Sequence, residues 1–181
     1  MNRKQLASAI ASVTTLRGQF TLRSGVIASE YFDKYRFESD PSLLRAIAEQ
    51  LVRLIPSDTQ VLAGLELGGV PVATALALHT GLRTVFVRKH AKEYGTCQLA
   101  EGLDVAGLRV LVVEDVVTSG GQVVASSEDL RGLGATVTEA VCVIDREAGG
   151  AATIRNAGIE LRSLFTKSEL ADALSPEGAN P

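Results

Sequence analysis

Residues 110–122 read Val-Leu-Val-Val-Glu-Asp-Val-Val-Thr-Ser-Gly-Gly-Gln, and this stretch decides the fold. Val110 to Val113 form a short β-branched apolar run, which suits a strand covered on both faces of a parallel sheet. Glu114 and Asp115 stand at its carboxyl end, where open α/β sheets bind ligands. Val116 and Val117 lead into Thr118, Ser119, Gly120 and Gly121, and a helix is expected to begin at about Gln122. Hydroxyls, unhindered glycine amides and a helix N-terminus together make an anion site, most naturally a phosphate cradle. Acids able to grip sugar hydroxyls or a metal, beside such a cradle, describe a sugar-phosphate pocket. A purely structural reading leaves the acid pair without a use. Neither the P-loop pattern G-x-x-x-x-G-K-[ST] nor a dinucleotide G-x-G-x-x-G after a strand occurs in the chain.

With 181 residues, 46% of them apolar, the chain can bury one sizeable core, and one domain over 1–181 is expected. A formal net charge of −3 argues against nucleic-acid binding as the main role. No apolar leader opens the sequence and no run reaches 18 apolar residues, which points to a soluble cytoplasmic protein without membrane contact. The two cysteines have no metal-ligand spacing: Cys142 lies in an apolar strand, and Cys97 in a polar loop as a candidate surface thiol. Two histidines without HExxH or CxxC spacing make a protein-ligated zinc site improbable, and His79, at a helix end, reads as structural.

Outward from the central stretch the chain alternates. Residues 3–16 pattern as an amphipathic helix, with Leu6, Ile10, Val13 and Leu16 on one face. Phe20 to Tyr35 is a turn-punctuated hairpin or hood, so that about 1–37 forms an N-terminal cap. Asp40-Pro41 is a helix start, and that helix is expected to run to about Leu54. Strands at 60–65, 84–87, 109–113, 136–144 and 160–163 then alternate with helices at 69–79, 121–133 and 148–156. This is the pattern of an α/β core over about 38–174, a mostly parallel twisted sheet with helices on both faces. Residues 175–181 read as a flexible tail.

Four further segments carry chemistry. Gly68 and Gly69, in Leu62-Ala-Gly-Leu-Glu-Leu-Gly-Gly-Val-Pro71, leave backbone amides open beside a helix whose first turn holds Pro71, and so offer a second phosphate site. Arg88, Lys89, His90 and Lys92 put four cation-capable groups on a loop after a strand; they suit the charge of a departing pyrophosphate, on a lid that excludes water. Arg146 falls just past a strand, on the sheet edge that holds the acid pair, where its fork could bind a carboxylate or a carbonyl pair. Arg23 and Ser24 lie on the N-terminal hairpin.

The strand, acid pair and Thr-Ser-Gly-Gly turn resemble the phosphoribosyl pyrophosphate (PRPP) signature of type I phosphoribosyltransferases. All five segments, in order over roughly 20–150, resemble the orotate phosphoribosyltransferase family. Phe20-Thr-Leu-Arg-Ser-Gly25 is similar to its N-terminal motif, with Arg23 where Lys is usual, and Tyr94 stands where some members carry His. The resemblance implies a five-stranded parallel core with a small hood, and a homodimer whose lid reaches the partner's site. PRPP contacts would then be Gly68, Gly69, Arg88, Lys89, Lys92, Tyr94, Glu114, Asp115, Val116, Val117, Thr118, Ser119, Gly120, Gly121 and Gln122. Thr118, Arg146 and Arg23 would hold orotate. It further implies Mg²⁺ carried by PRPP, with Glu114 and Asp115 holding the ribose hydroxyls directly or through metal-bound water. Lys92, Glu114 and Asp115 would carry the catalysis, and loss of Lys92 would lower turnover more than substrate binding. The rivals are a purine or uracil phosphoribosyltransferase and a PRPP-sensing regulator that binds nucleic acid; the Asp145-Arg146 segment and the hairpin motif speak against the first, the acidic charge against the second.

Overall fold

The computed structural model describes residues 1–21, 25–90 and 98–175. Arg23, Ser24, Lys92, Tyr94, Cys97 and nearly all of the expected tail lie outside the described residues. Helix α1 (Arg3–Thr14) opens on a capping box: Asn2 accepts the Gln5 N–H at 2.9 Å, and the Gln5 side chain accepts the Asn2 N–H at 3.1 Å. It ends two residues before the expected Leu16. Val13, Thr14 and Thr15 are all β-branched and favour extended backbone, and the Thr14 hydroxyl donates back to the Ile10 carbonyl at 2.8 Å. Strand β1 (Thr15–Thr21) therefore starts earlier than Phe20, and pairs antiparallel with β2 (Ile27–Phe32) to form the hood.

A short helix α2 (Tyr35–Glu38), not expected from the sequence, links the hood to the core. Asp40 caps α3 (Pro41–Leu51) as its chemistry demands, its carboxylate accepting the N–H groups of Ser42 and Leu43 at 2.8 and 3.1 Å. The last expected turn, Val52–Leu54, tightens to a 3₁₀ helix before Pro56.

The core then runs β3 (Val61–Leu65), α4 (Gly69–Thr80), β4 (Arg83–Val87), β5 (Ala100–Glu101), β6 (Val110–Val117), α5 (Gly121–Gly132), β7 (Glu139–Asp145), α6 (Gly150–Asn156), β8 (Glu160–Thr166) and α7 (Lys167–Asp172). The sheet order is β5-β4-β3-β6-β7-β8, with five parallel strands and β5 antiparallel at the edge. The chain winds outward from β3 to β4, then returns to β6 on the other side of β3. That reversal opens a crevice outside the carboxyl ends of β3 and β6, the place where such sheets bind ligands.

Period-2 alternation along the strands splits the core in two. Leu62, Leu111, Val113, Val141 and Val143 pack with α1, α3 and α4 on one face; Val61, Ala63, Val112, Ala140 and Cys142 pack with Val123, Leu130 and Ile154 on the other. Each fully buried Val or Leu contributes about 1.5–3 kcal/mol relative to exposure. Cys142 is buried, as expected for a small core residue.

Several strand ends differ from the sequence reading, and β7 begins at Glu139 rather than at Thr136. β6 does not stop at Val113 but continues to Val117, because β-branched Val116 and Val117 find ladder partners in Ile144 and Asp145. β8 likewise passes Ser163 to Thr166, which caps α7 through a capping box with Glu169. Among the described residues no helix is long and apolar enough to cross a membrane.

Candidate active site

The extended β6 carries the acid pair inside the sheet rather than beyond it. Asp115 is 0% exposed and Glu114 8%. Glu114 Oε1 accepts the Asp115 backbone N–H at 3.0 Å. Lys34, at the start of α2, brings its ammonium to 2.6 Å from Asp115 Oδ2, and Glu38, at the end of α2, is buried beside it. Among the described residues no backbone N–H reaches either Asp115 oxygen or Glu38 Oε1, so Lys34 and the protons of the neighbouring acids are what face them.

Three acids and one cation cannot all be charged here. Burial raises Asp115, but hydrogen bonding with Glu114 and Glu38 and the charge of Lys34 outweigh it and hold the group down at about 2. Burial first, then the Asp115 charge, pushes Glu38 up to about 8 and Glu114 well above the usual carboxylate range. Asp115 is therefore the acid that ionises first, paired with Lys34, while Glu38 and Glu114 hold their protons to higher pH. Because the folded-state value of Glu38 lies above its ordinary 4.5, its contribution to stability is full below pH 4.5 and is lost as pH rises through about 8. Glu38→Gln removes that ionisation, so its melting temperature is expected to fall less than the wild type's across this range. Equal slopes in a pH series of thermal melts would count against the assignment.

Gly68 and Gly69 lie against this cluster. A Cβ on Gly68 would sit 2.2 Å from Asp115 Oδ2 and 2.7 Å from Glu38 Oε1, and one on Gly69 would sit 2.3 Å from the Val113 carbonyl oxygen. Only hydrogen fits at either position. The loop after β3 is thus pressed onto the end of β6, which places two expected phosphate sites side by side.

On the other flank, Thr118, Ser119 and Gly121 are exposed at the mouth of α5, and Gly120 turns the chain with φ +78°. Gln122 points its side-chain amide at Ser126, 3.0 Å away along the helix. Gly150, the first residue of α6, closes against the cradle: a Cβ there would lie 2.5 Å from the Thr118 carbonyl oxygen.

The lid segment is described only at its roots. The Arg88 N–H donates to the Leu99 carbonyl at 2.9 Å, and the Lys89 N–H donates to Glu66 in the β3 loop at 3.0 Å. Arg146 follows β7, its N–H donating to the Val117 carbonyl at 2.9 Å. Its guanidinium lies over the Phe32 ring, 4.8 Å from the centroid, so the hood and the sheet edge meet there. Arg146 and Phe32 line a cavity of about 400 Å³ with Arg17, Glu30, Lys167 and Leu170. The next residue, Glu147, adopts φ +55°, and its carboxylate accepts the Ser168 N–H and hydroxyl at 2.8 and 2.6 Å.

Of the expected site residues, Gly68, Gly69, Glu114, Asp115 and the Thr118–Gly121 turn come together at the β3–β6 crevice. Arg146 stands at its β7 side, and Arg88 and Lys89 at the lid root. Lys34, Glu38 and Gly150 were not anticipated. Nothing local in the sequence marks Lys34 or Glu38 as partners of Asp115. Gly150 lies four residues past Arg146 in the loop that leads into α6.

Two glycine loops flanking a buried acid pair at a topological switch point define a phosphoribosyltransferase site. The chain belongs to the phosphoribosyl transferase domain family, whose pattern matches residues 38–156. Within it, the chain is 53% identical to orotate phosphoribosyltransferase of Nocardioides sp., over 96% of this chain and 97% of that protein. It is 44% identical to orotate phosphoribosyltransferase of Halobacterium salinarum, over 93% and 96% of the two chains. The crystal structure of the Mycobacterium tuberculosis orotate phosphoribosyltransferase in complex with PRPP superimposes with a TM-score of 0.80 at 31% identity, covering 93% of this chain and 98% of that one. The family and the fold expected from the sequence are those found.

Proposed function

We propose that this chain transfers ribose 5-phosphate from PRPP to N1 of orotate, giving orotidine 5′-phosphate and pyrophosphate, a step of pyrimidine biosynthesis. The observation that carries the reading is Asp115: a buried, ionised carboxylate facing Lys34 and set between two glycine loops at the sheet switch point. The whole chain works as one domain, a hood over about 1–37 and a core over about 38–174, in the cytoplasm.

In this reading Glu114 and Asp115 hold the ribose hydroxyls. The Val116–Gln122 segment, through its turn amides and the Thr118 hydroxyl, takes the 5-phosphate. Gly68 and Gly69 open amides to the pyrophosphate. As the C1–O bond breaks, positive charge grows on the sugar and negative charge on the leaving group; the Asp115 carboxylate favours the first, and Arg88, Lys89 and Lys92 favour the second. Tyr94 completes the lid, which excludes water and reaches the site of a partner subunit in a homodimer. Arg146, Arg23 and Thr118 hold the base, and an arginine stacked on Phe32 beside a cavity with further cations suits an anionic ring.

The residues fit Mg²⁺ delivered on the substrate. Glu114 and Asp115 offer oxygen donors, the ligand type Mg²⁺ prefers, and the Asp115 carboxylate could accept from its water shell. Bound there, the ion neutralises diphosphate charge.

The test is loss of orotate absorbance by purified protein with PRPP and Mg²⁺, beside parallel samples of uracil, adenine and hypoxanthine. Consumption of orotate alone is expected. Consumption of another base in its place would overturn the base assignment, and no reaction with any base would overturn the reading.

A further inference from the structure

The segment from Phe32 to Glu38 touches both halves of the site. Phe32 lies under Arg146, 4.8 Å from its guanidinium, on the base side. Two residues on, the Lys34 ammonium meets Asp115 Oδ2 at 2.6 Å, on the sugar side. Phe37, fully buried, anchors α2 in the core, and Glu38 closes over Gly68 next to the same Asp115 oxygen. The chain thus passes from hood to acid pair in a few residues, and it ends on a contact that no family motif quoted above includes.

Asp115 is completely buried, so water does not screen its charge. Around it stand two other acids, Glu114 and Glu38, and Lys34 supplies the opposing cation. The Lys34 ammonium engages Oδ2, and among the described residues no backbone N–H reaches Oδ1. A cation fixed on one oxygen, with Gly68 pressed against the same side, fixes the plane of the carboxylate.

We propose that Lys34 is a positioning residue of the sugar-phosphate site: it pins the Asp115 carboxylate through Oδ2, holds it in place for a ribose hydroxyl, and ties it to the hood strand carrying Phe32. Lys34 acts through Asp115 and touches no reacting atom. The inference rests on the phosphoribosyl transfer proposed above, and it adds a residue to the PRPP half of that site. It also assigns a use to α2, which otherwise only joins hood to core.

The experiment compares wild type, Lys34→Met and Lys34→Arg in steady-state kinetics, varying PRPP and orotate separately, with thermal melts in the presence and absence of PRPP. Met keeps the length and the apolar stem but not the charge; Arg keeps the charge. Lys34→Met is expected to raise KM for PRPP by about ten-fold or more, since a buried charge pair has lost one partner. KM for orotate at saturating PRPP is expected to stay within about two-fold, and the PRPP-induced rise in melting temperature to shrink. Lys34→Arg should recover most of the loss. A lysine that merely fills space would be replaced by Met without effect, so an unchanged KM for PRPP in Lys34→Met overturns the proposal. So does a Lys34→Arg protein as impaired as Lys34→Met. If Lys34→Met does not fold, Lys34→Gln makes the same comparison. A wild type that turns over no orotate overturns the functional reading, whereas normal wild-type turnover with a neutral Lys34→Met overturns only the role of Lys34.

Discussion

Asp115→Asn is expected to lower kcat/KM for PRPP by about 10²–10³-fold while the protein stays folded, the scale typical of removing one electrostatic group aimed at developing charge. The two side chains have the same shape, so packing around a fully buried position is kept. What is lost is the charge. Asp115 is the acid held ionised, at about 2, in a cluster whose other carboxyls hold their protons to higher pH. It is therefore the group able to favour positive charge on a sugar as its C1–O bond breaks. Lys34 loses its partner in the variant, but a third of its side chain is exposed and water can take over, so the cost in stability stays small. Glu114→Gln makes the contrast. Burial pushes the Glu114 carboxyl up, so exchange for a near-isosteric, neutral Gln is expected to cost less than Asp115→Asn. Orotate absorbance kinetics and thermal melts of both variants check this. An Asp115→Asn enzyme retaining more than a tenth of wild-type kcat/KM would remove Asp115 from the catalytic role.

The reason Asp115 could be found in sequence, and Lys34 could not, is local. Four apolar residues, two acids, two valines and a Thr-Ser-Gly-Gly turn are contiguous, and each departs from what an ordinary strand-to-helix connection needs. The glycine pair at 68–69 is legible for the same reason, and so is the Asp40 cap, because capping is a property of neighbouring residues. Lys34 and Glu38 owe their place to a long-range contact with β6, which packing creates and no window of sequence contains. Strand ends fall between these cases. Val116 and Val117 extend β6 because β7 lies alongside to accept the ladder, so the acids came to be buried in the sheet rather than placed past its edge. The capping box Thr166-x-x-Glu169 ahead of Leu170 is local and marks where β8 gives way to α7.

Gly69→Ala is expected to melt several degrees below the wild type and to lose most of its PRPP affinity, whereas Gly68→Ala should lose affinity with a smaller change in melting. The difference lies in what each added methyl would strike. At Gly69 it is the Val113 carbonyl oxygen, 2.3 Å away, and Val113 is backbone held between β3 and β7 by parallel ladders on both sides. That carbonyl cannot yield, so the start of α4 must lift away from β6. Overpacking of this kind costs about 1–3 kcal/mol. In a chain of this length each kcal/mol is worth about 2–4 °C, giving a fall of roughly 2–12 °C. Lifting α4 also parts the two phosphate loops, which accounts for the lost affinity. At Gly68 the methyl would strike the Asp115 carboxylate at 2.2 Å, a side chain that can turn aside, but only by leaving the Lys34 ammonium at 2.6 Å. The fold then survives while the acid is turned out of position. Differential scanning calorimetry and PRPP titration of the two variants separate these effects. A Gly69→Ala protein melting within a degree of the wild type would mean that the β3 loop is free to move off β6, and that close contact between the loops does not set the geometry of the diphosphate site.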